Sequence, residues 1–405
     1  IWAFGDCVGT YMFRHSANRE AEFLARHVFD NNHAPINYGP MPYAVFATPE
    51  VAGLGATEDQ LIATKTPYIR GVAHYADSNM GGHFGPQLKY AGYDMLIISG
   101  RAAEPSYIEI EDDAVRIHSA EKYWGQGAIV AETEIKKDLG EAFQILTIGP
   151  AGEKLVRYAC ISHDFGRQAG RTGIGAVLGS KRIKAIAIKG SGSLPVHDVE
   201  AAYKAGKEAY LKVSQKPGFK EWTPEGTAGI TDFINEVGVF PTRNFQTSYS
   251  DHHQAINGKA IIKELKITDK GCYGCPTPCG KYGHAKTALG EAFVEGPEFE
   301  TIALFGGNCL LPTISDVAYA NYICDELGVD TISAGVVISW AIECFEKGIL
   351  SQEEIGREIA FGDLSTVEYL LEKIAAREGI GALLADGVKV AAEKTGRDSD
   401  VFAIH

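Results

Sequence analysis

Residues 190–195 read Gly-Ser-Gly-Ser-Leu-Pro, and the pattern of apolar residues changes on either side of this stretch. Small residues and a proline without apolar periodicity are typical of a linker. Before the linker, short alternating segments such as 106–111 predict strands, whereas after it longer segments such as 332–347 have a helical period. We therefore predict an α+β fold, in which a β-rich domain over residues 1–192 precedes a mostly α-helical domain over residues 193–405.

The same patterns predict the other elements. Further strands are predicted at 94–99, 115–118, 144–148, 156–161 and 184–189. Further helices are predicted at 18–29, 128–139, 315–327, 366–377 and 381–395.

The chain has 405 residues and a net charge of −14, which argues against binding to nucleic acid because that needs a basic surface. An acidic surface would also repel a small acidic electron carrier unless basic patches are placed locally. No run of about 18 apolar residues predicts a membrane span. The first residues lack both a basic region and an initiator Met, so we expect them to be the interior of a longer gene product in the cytoplasm.

Three of the eight cysteines crowd into one loop. Cys272, Cys275 and Cys279 have C-x2-C-x3-C spacing among Gly and Pro residues, which lets several sulfurs converge on one metal cluster. A structural zinc site is the alternative, but zinc knuckles usually have a second cysteine pair at a readable distance. A [4Fe–4S] cluster takes four thiolates, so the spacing leaves the fourth ligand open.

The glycine-rich stretch 167–181 differs from a dinucleotide-binding fingerprint in its spacing and in lacking a βαβ frame. Its glycines allow close approach of the backbone to a ligand, and Arg167 and Arg171 are suited to holding phosphates.

Together with the cysteine loop, residues 78–94, 148–153, 169–187, 241–247, 295–301 and 325–333 resemble the sequence motifs of the aldehyde ferredoxin oxidoreductase family, in the order found there. The similarity extends over roughly residues 76–395. It implies one tungsten or molybdenum atom between two pterin dithiolenes, a [4Fe–4S] cluster, Mg²⁺, and a β-rich base domain covered by helices. It also implies an oligomer in which aldehydes are oxidised to carboxylic acids and electrons pass to ferredoxin.

The resemblance assigns roles to individual residues. Cys272, Cys275 and Cys279 match cluster ligands, and the family takes its fourth Cys from a later domain. Glu300 matches a glutamate beside the metal that can accept a proton, with Glu298 as the rival candidate. The cofactor-contacting residues fall into three sets: Asn79 and Gly81 at the pterin phosphates, with Asn79 near Mg²⁺; Arg167, Gln168, Gly170 and Arg171 in a second phosphate segment; and Asp325, Val329 and Asp330 at a pterin ring.

We expect the chain to be incomplete and to lack the third family domain, together with that domain's Cys and catalytic His. Two other functions remain open. The chain could be the tungsten subunit of a complex that reduces aromatic acyl-CoA thioesters, or a non-catalytic subunit whose partner supplies the missing domain.

Overall fold

The computed structural model describes residues 42–45, 51–54 and 78–404. The chain forms two compact units, residues 1–76 and 77–405. In the first unit, β1 (Pro42–Val45) pairs with β2 (Val51–Leu54) in an antiparallel hairpin. The helix predicted at 18–29 lies outside the described residues.

The second unit opens with a mixed six-stranded sheet in the order β4-β3-β8-β5-β6-β7. Its strands are β3 (Ser106–Glu111), β4 (Ala114–Ser119), β5 (Gln144–Thr147), β6 (Ile161–His163), β7 (Arg167–Ala169) and β8 (Ile183–Lys189). β3 and β8 are parallel, and the other neighbours are antiparallel. β8 is buried over almost its whole length because apolar clusters cover both faces of the sheet.

Four helices accompany this sheet: α1 (Phe84–Tyr90), α2 (Ala128–Leu139), α3 (Pro150–Glu153) and α4 (Ile174–Ser180). α2 buries Ala131 and Ile135 in the same cluster as Ile145, on one face. Phe84 of α1 and Leu178 of α4 pack in the cluster on the other face.

The rest of the unit is mainly helical and has one large apolar core, which includes Phe305, Ile338 and Trp340. Its helices are α5 (Val199–Ser214), α6 (Phe219–Glu225), α7 (Thr231–Glu236), α8 (Gly258–Ala260), α9 (Phe299–Thr301), α10 (Ile314–Leu327), α11 (Thr331–Glu346), α12 (Gln352–Ile355), α13 (Leu364–Ala376), α14 (Ile380–Leu384) and α15 (Val388–Thr395). 3-10 turns occur at Gly226–Ile230, His253–Ala255 and Ser399–Phe402, and π-helical turns at Ile261–Leu265 and Ile302–Asn308. Among the described residues, no helix is long and apolar enough to cross a membrane.

A small antiparallel sheet carries the cysteine loop. It consists of β9 (Lys266–Lys270), β10 (Gly280–Lys286) and β11 (Glu291–Glu295) in the order β11-β10-β9. The loop 271–279 connects β9 to β10, so its three cysteines lie at one end of this sheet. Ala285 and Val294 of the sheet pack in the helical core.

A buried ion pair attaches the short helix α3 to the six-stranded sheet. Lys184 of β8 and Glu153 of α3 are 2.5 Å apart, with exposed side-chain fractions of 0% and 4%. Lys184 also donates to the Gln126 carbonyl at 2.7 Å, and the Glu153 carboxylate accepts from the Gly125 N–H. Both charges therefore have partners, which buried charges require.

The predicted α+β class is confirmed by the mixed sheet followed by helices. Two predicted strands are wrong. The segment 94–99 is apolar, as expected, but Met95 and Ile97 are exposed and the segment lacks a ladder partner among the described residues. Residues 156–160 form a buried turn whose apolar side chains pack in the helical core. The helix predicted at 381–395 is two helices, α14 and α15, separated at Gly387 with φ 89°.

Candidate active site

One cavity of about 610 Å³ lies between the six-stranded sheet, the small sheet and the start of α11. Eleven of the thirteen residues predicted for the site line it, although they come from distant parts of the sequence. They are Asn79, Gly81, Arg167, Gln168, Gly170, Arg171, Cys279, Glu300, Asp325, Val329 and Asp330. The other two predicted residues, Cys272 and Cys275, are in the cysteine loop beside the cavity.

The 78–83 loop forms one wall and lies against the cysteine loop. A Cβ added at Gly81 would lie 2.6 Å from the Cys272 Sγ, so only glycine fits there without displacing that side chain. The Tyr273 N–H donates to the Gly82 carbonyl at 3.2 Å. A main-chain hydrogen bond therefore joins the two loops, and the absence of a side chain at Gly81 allows them to approach each other closely.

Arg167 lies between the cavity and the cysteine loop. Its guanidinium is 2.7 Å from the Glu295 carboxylate, and the side chains are 10% and 3% exposed. Burial alone would lower the pKa of Arg167, but Glu295 and the nearby Cys272 and Cys279 raise it above its ordinary value. Lys270 lies 3.0 Å from the other oxygen of Glu295. The Arg167 Nε is buried and has no hydrogen-bond partner among the described residues, so it is a donor available to a ligand.

Asp325 is a buried carboxyl group that has no cationic partner in hydrogen-bond contact within the part of the chain that the structure describes. Gln168 donates to one of its oxygens at 2.9 Å, and Asn321 donates to the other at 2.7 Å. Burial raises the pKa of Asp325 well above its usual range, and the two hydrogen bonds offset only part of this effect. At this point the cavity offers a carboxyl group that can exchange hydrogen bonds with a polar ring.

Asp330 has a structural role beside its predicted one. It is the N-cap residue of α11, and its carboxylate accepts from the Ile332 and Ser333 N–H groups and from the Ser333 hydroxyl. Arg171 donates to the same carboxylate at 3.3 Å. Much of the acceptor capacity of Asp330 is thus already used within the chain.

Main-chain bonds place this segment at the cavity. Cys160 N–H donates to the Gly328 carbonyl at 2.8 Å, and Asp330 N–H donates to the Tyr158 carbonyl at 3.0 Å. Ala159 and Val329 form the antiparallel bridge between these two bonds. The turn that was predicted as a strand therefore joins the first part of the unit to the segment between α10 and α11.

Two glutamates approach the cavity at the start of α9. Glu300 lines the cavity and is exposed. Glu298 also lines it, and its carboxylate accepts from the Thr227 hydroxyl. Burial raises the pKa of Glu298, with further increases from Glu295 and Glu300. Either glutamate can exchange a proton with a ligand in the cavity, and Glu298 holds its proton to higher pH than an ordinary glutamate.

The described residues fit a phosphate-bearing polar ligand better than they fit a complete metal cluster. Arg167 has a buried donor without a hydrogen-bond partner among the described residues. Gly81, Gly166 and Gly280 let the backbone pack closely against Cys272 and Glu295, which brings the walls of the cavity together. No three His, Cys, Asp or Glu side chains in the described part of the chain are arranged to hold a metal ion. The cysteine loop supplies three thiols, and Cys275 is the exposed one.

Eight cavity residues were not predicted: Ser78, Cys160, Gly166, Glu295, Thr301, Asn321, Thr331 and Ile332. Asn321 is four residues before Asp325 on the predicted helix, so helical periodicity could have paired them. Glu295 lies within a recognised motif, but nothing in the sequence indicates that it pairs with Arg167. Nothing in the sequence indicates that Cys160 lies at the cavity.

Comparison with known families matches nearly the whole chain. Residues 21–190 match the model of the N-terminal domain of aldehyde ferredoxin oxidoreductase, and residues 204–405 match the model of its domains 2 and 3.

The curated relatives include the tungsten-containing aldehyde ferredoxin oxidoreductases of Pyrococcus furiosus and Thermococcus kodakarensis. Each is 40% identical, over 83% and 80% of this chain and over 55% and 54% of the relative, respectively. The aliphatic sulfonate oxidoreductase WOR-like subunit of Pyrococcus furiosus is 34% identical, over 85% of this chain and 57% of the relative. The chain thus spans about half the length of the curated relatives it matches.

A similar solved structure is the active-site complex BamBC of benzoyl coenzyme A reductase with 1,5-dienoyl-CoA. Its TM-score is 0.68 at 28% identity, and the match covers 80% of this chain and 51% of that chain.

Proposed function

The chain belongs to the aldehyde ferredoxin oxidoreductase family, and on that basis we propose that it holds a tungsten or molybdenum bis-pterin cofactor in an enzyme that oxidises aldehydes. The supporting observation is the single cavity that gathers eleven predicted site residues from residues 79–330. Ferredoxin, as in the names of the relatives, is the proposed electron acceptor.

The residues around the cavity have separate proposed tasks. Arg167 has a buried free donor and Arg171 is exposed at the rim, so both can bind pterin phosphates. The Asn79 carbonyl is an oxygen ligand of the kind that Mg²⁺ prefers. Asp325, together with the Gln168 and Asn321 side chains that hold it, can pair with the polar edge of a pterin ring.

Oxidation of an aldehyde with water gives a carboxylic acid, two protons and two electrons. When bound, the tungsten bis-pterin would supply the two-electron acceptor for this reaction. We propose that Glu300 accepts a proton, because it lies in the cavity wall and is open to solvent. Two one-electron ferredoxins would then take the two electrons.

Cys272, Cys275 and Cys279 are proposed ligands of a [4Fe–4S] cluster, on the basis of their spacing and their place beside the cavity. The described thiols do not by themselves form a metal site. Anaerobic purification from the native source followed by mass spectrometry should give about one W or Mo and about four Fe per chain. Zinc without W, Mo or Fe would refute both cofactor assignments and favour a non-catalytic subunit.

Glu300→Gln tests the proton acceptor. We expect aldehyde-dependent dye reduction to fall by roughly 10²-fold or more while the W or Mo content is retained. Glu291→Gln is the matched control, because Glu291 is an exposed glutamate of the same region and does not line the cavity. If Glu298→Gln loses turnover and Glu300→Gln does not, Glu298 takes the role.

Reduction of an aromatic acyl-CoA thioester is the second candidate, favoured by the similarity to the benzoyl coenzyme A reductase complex. Purified protein that contains W and turns over benzoyl-CoA with a low-potential reductant, but not aldehydes, would support this candidate over aldehyde oxidation.

A further inference from the structure

His163, at the end of β6, is completely buried and does not line the cavity. Its Nδ1 donates to the Ile145 carbonyl at 2.9 Å, since a carbonyl oxygen can only accept. Its Nε2 accepts from the N–H groups of His83 and Phe84 at 3.0 and 3.1 Å. These three bonds require the neutral imidazole with its proton on Nδ1.

The same ring lies directly under the 78–83 loop. Gly82 has φ 92°, and a Cβ there would be 2.6 Å from the His163 Cδ2. The Phe84 ring packs edge-on against the imidazole, with centroids 6.1 Å apart. Since the Gly82 carbonyl accepts from the Tyr273 N–H, the loop is held between the His163 ring on one side and the cysteine loop on the other.

We propose that His163 is a positioning residue that holds the 78–83 loop in the conformation that presents Asn79 and Gly81 to the cavity. The two N–H groups it binds begin α1, where helical donors lack partners within the helix. No other acceptor in the described structure binds these two donors. Without His163 they would be buried and unpaired, so the loop would have to move to satisfy them.

This inference rests on the proposed function in one respect, namely that the loop binds the phosphate end of the cofactor. Burial lowers the pKa of His163 to about 4. The nearby charges of Lys136 and His83 lower this pKa further, whereas the hydrogen bond to the Ile145 carbonyl and the charge of Asp164 raise it. The ring is therefore uncharged at neutral pH, as its acceptor role requires.

Two substitutions separate positioning from general stability. His163→Gln retains an acceptor that can reach the two N–H groups, whereas His163→Leu removes every hydrogen bond at similar volume. Hydrogen–deuterium exchange of peptides covering residues 78–84 reports the loop whether or not cofactor is present. Mass spectrometry of W or Mo and of released pterin reports its binding.

We expect His163→Leu to speed exchange in this loop and to lower cofactor content by about tenfold or more, the loss typical of residues that support ligands. His163→Gln should restore both. Leu370→Ala, a fully buried change in the distant helix α13, is the control and is compared at the same loss of melting temperature. It should leave loop exchange and cofactor content unchanged.

Unchanged loop exchange in His163→Leu would overturn the inference. Faster exchange with undiminished cofactor would overturn the link between the loop and the cofactor. If the wild-type protein carries no W, Mo or pterin, the proposed function fails, and the exchange data still decide whether His163 holds the loop.

Discussion

The buried pair of Lys184 and Glu153 gives a quantitative test of how α3 is attached to the sheet. Lys184→Met leaves the Glu153 carboxylate buried and takes one donor from the Gln126 carbonyl. Breaking a buried pair by removing one partner costs about 3–5 kcal/mol. Because the Gly125 N–H still binds Glu153 at 2.8 Å, we expect a loss at the lower end, about 3 kcal/mol.

Urea denaturation of cofactor-free protein measures this loss directly, since bound cofactor would add its own stabilisation. The double variant Lys184→Met/Glu153→Gln has no uncompensated charge and should recover roughly 2 kcal/mol of the loss. Lys189→Met is the matched control: it lies on the same strand and is 2.9 Å from Glu111, but both side chains are 39% exposed. Its effect should be much smaller, because solvent screens an exposed pair.

The reasoning is refuted if Lys184→Met costs less than about 1 kcal/mol, the range of an exposed pair. It is also refuted if the double variant loses as much as the two single changes added together, because the two charges would then be energetically independent.

Four other changes have definite expected outcomes. Gly149→Ala places a Cβ 2.3 Å from the Leu327 backbone, so it should lower the free energy of unfolding, measured in urea, by about 1–3 kcal/mol. Gly206→Ala adds a Cβ in open space within α5, so it should raise the free energy of unfolding by about 0.5–1 kcal/mol. Cys275→Ala should abolish the broad visible absorbance of an iron–sulfur cluster, and unchanged absorbance would contradict the assignment of this ligand. The folded pKa of His163, about 4, is below its unfolded value of about 6.5, so its contribution to stability is complete above pH 6.5 and is lost as the pH falls towards 4. Titration of unfolding free energy should therefore show a shallower acid slope in His163→Gln than in the wild type.

The sequence predicted elements well where one local pattern was sufficient. The helix at 128–139 has the predicted bounds, because its apolar residues recur at helical spacing and Gly127 and Gly140 flank it. The segments 94–99 and 156–161 are apolar enough for strands, but a strand also needs a partner along several residues, and local pattern does not give one. Before β6 begins at Ile161, the second segment has only the single bridge of Ala159 with Val329. Gly387 divides 381–395 because its positive φ interrupts the helix, whereas glycines such as Gly335 lie within helices.

The candidate site was predictable to the extent that its residues fall in recognisable motifs. Asn79, Arg167 and Asp325 were found in this way, and all three line one cavity. Their supports were not predictable. The pairing of Arg167 with Glu295 and the contact of His163 with the 78–83 loop join residues that are distant in sequence, so each depends on how the whole chain folds.

The bonds between residues 158–160 and 328–330 use only main-chain groups, so they require no particular side chain at either segment. Homologous proteins could exchange most of these side chains for others and still keep the two halves of the cavity in register. The constraint is concentrated instead at Gly149 and Gly328, whose backbones approach so closely that a Cβ on Gly328 would lie 2.7 Å from the Gly149 nitrogen. Comparison of this junction among relatives should therefore find two fixed glycines and variable side chains at residues 158–160, whereas Asp330 is kept for its separate role as the N-cap of α11.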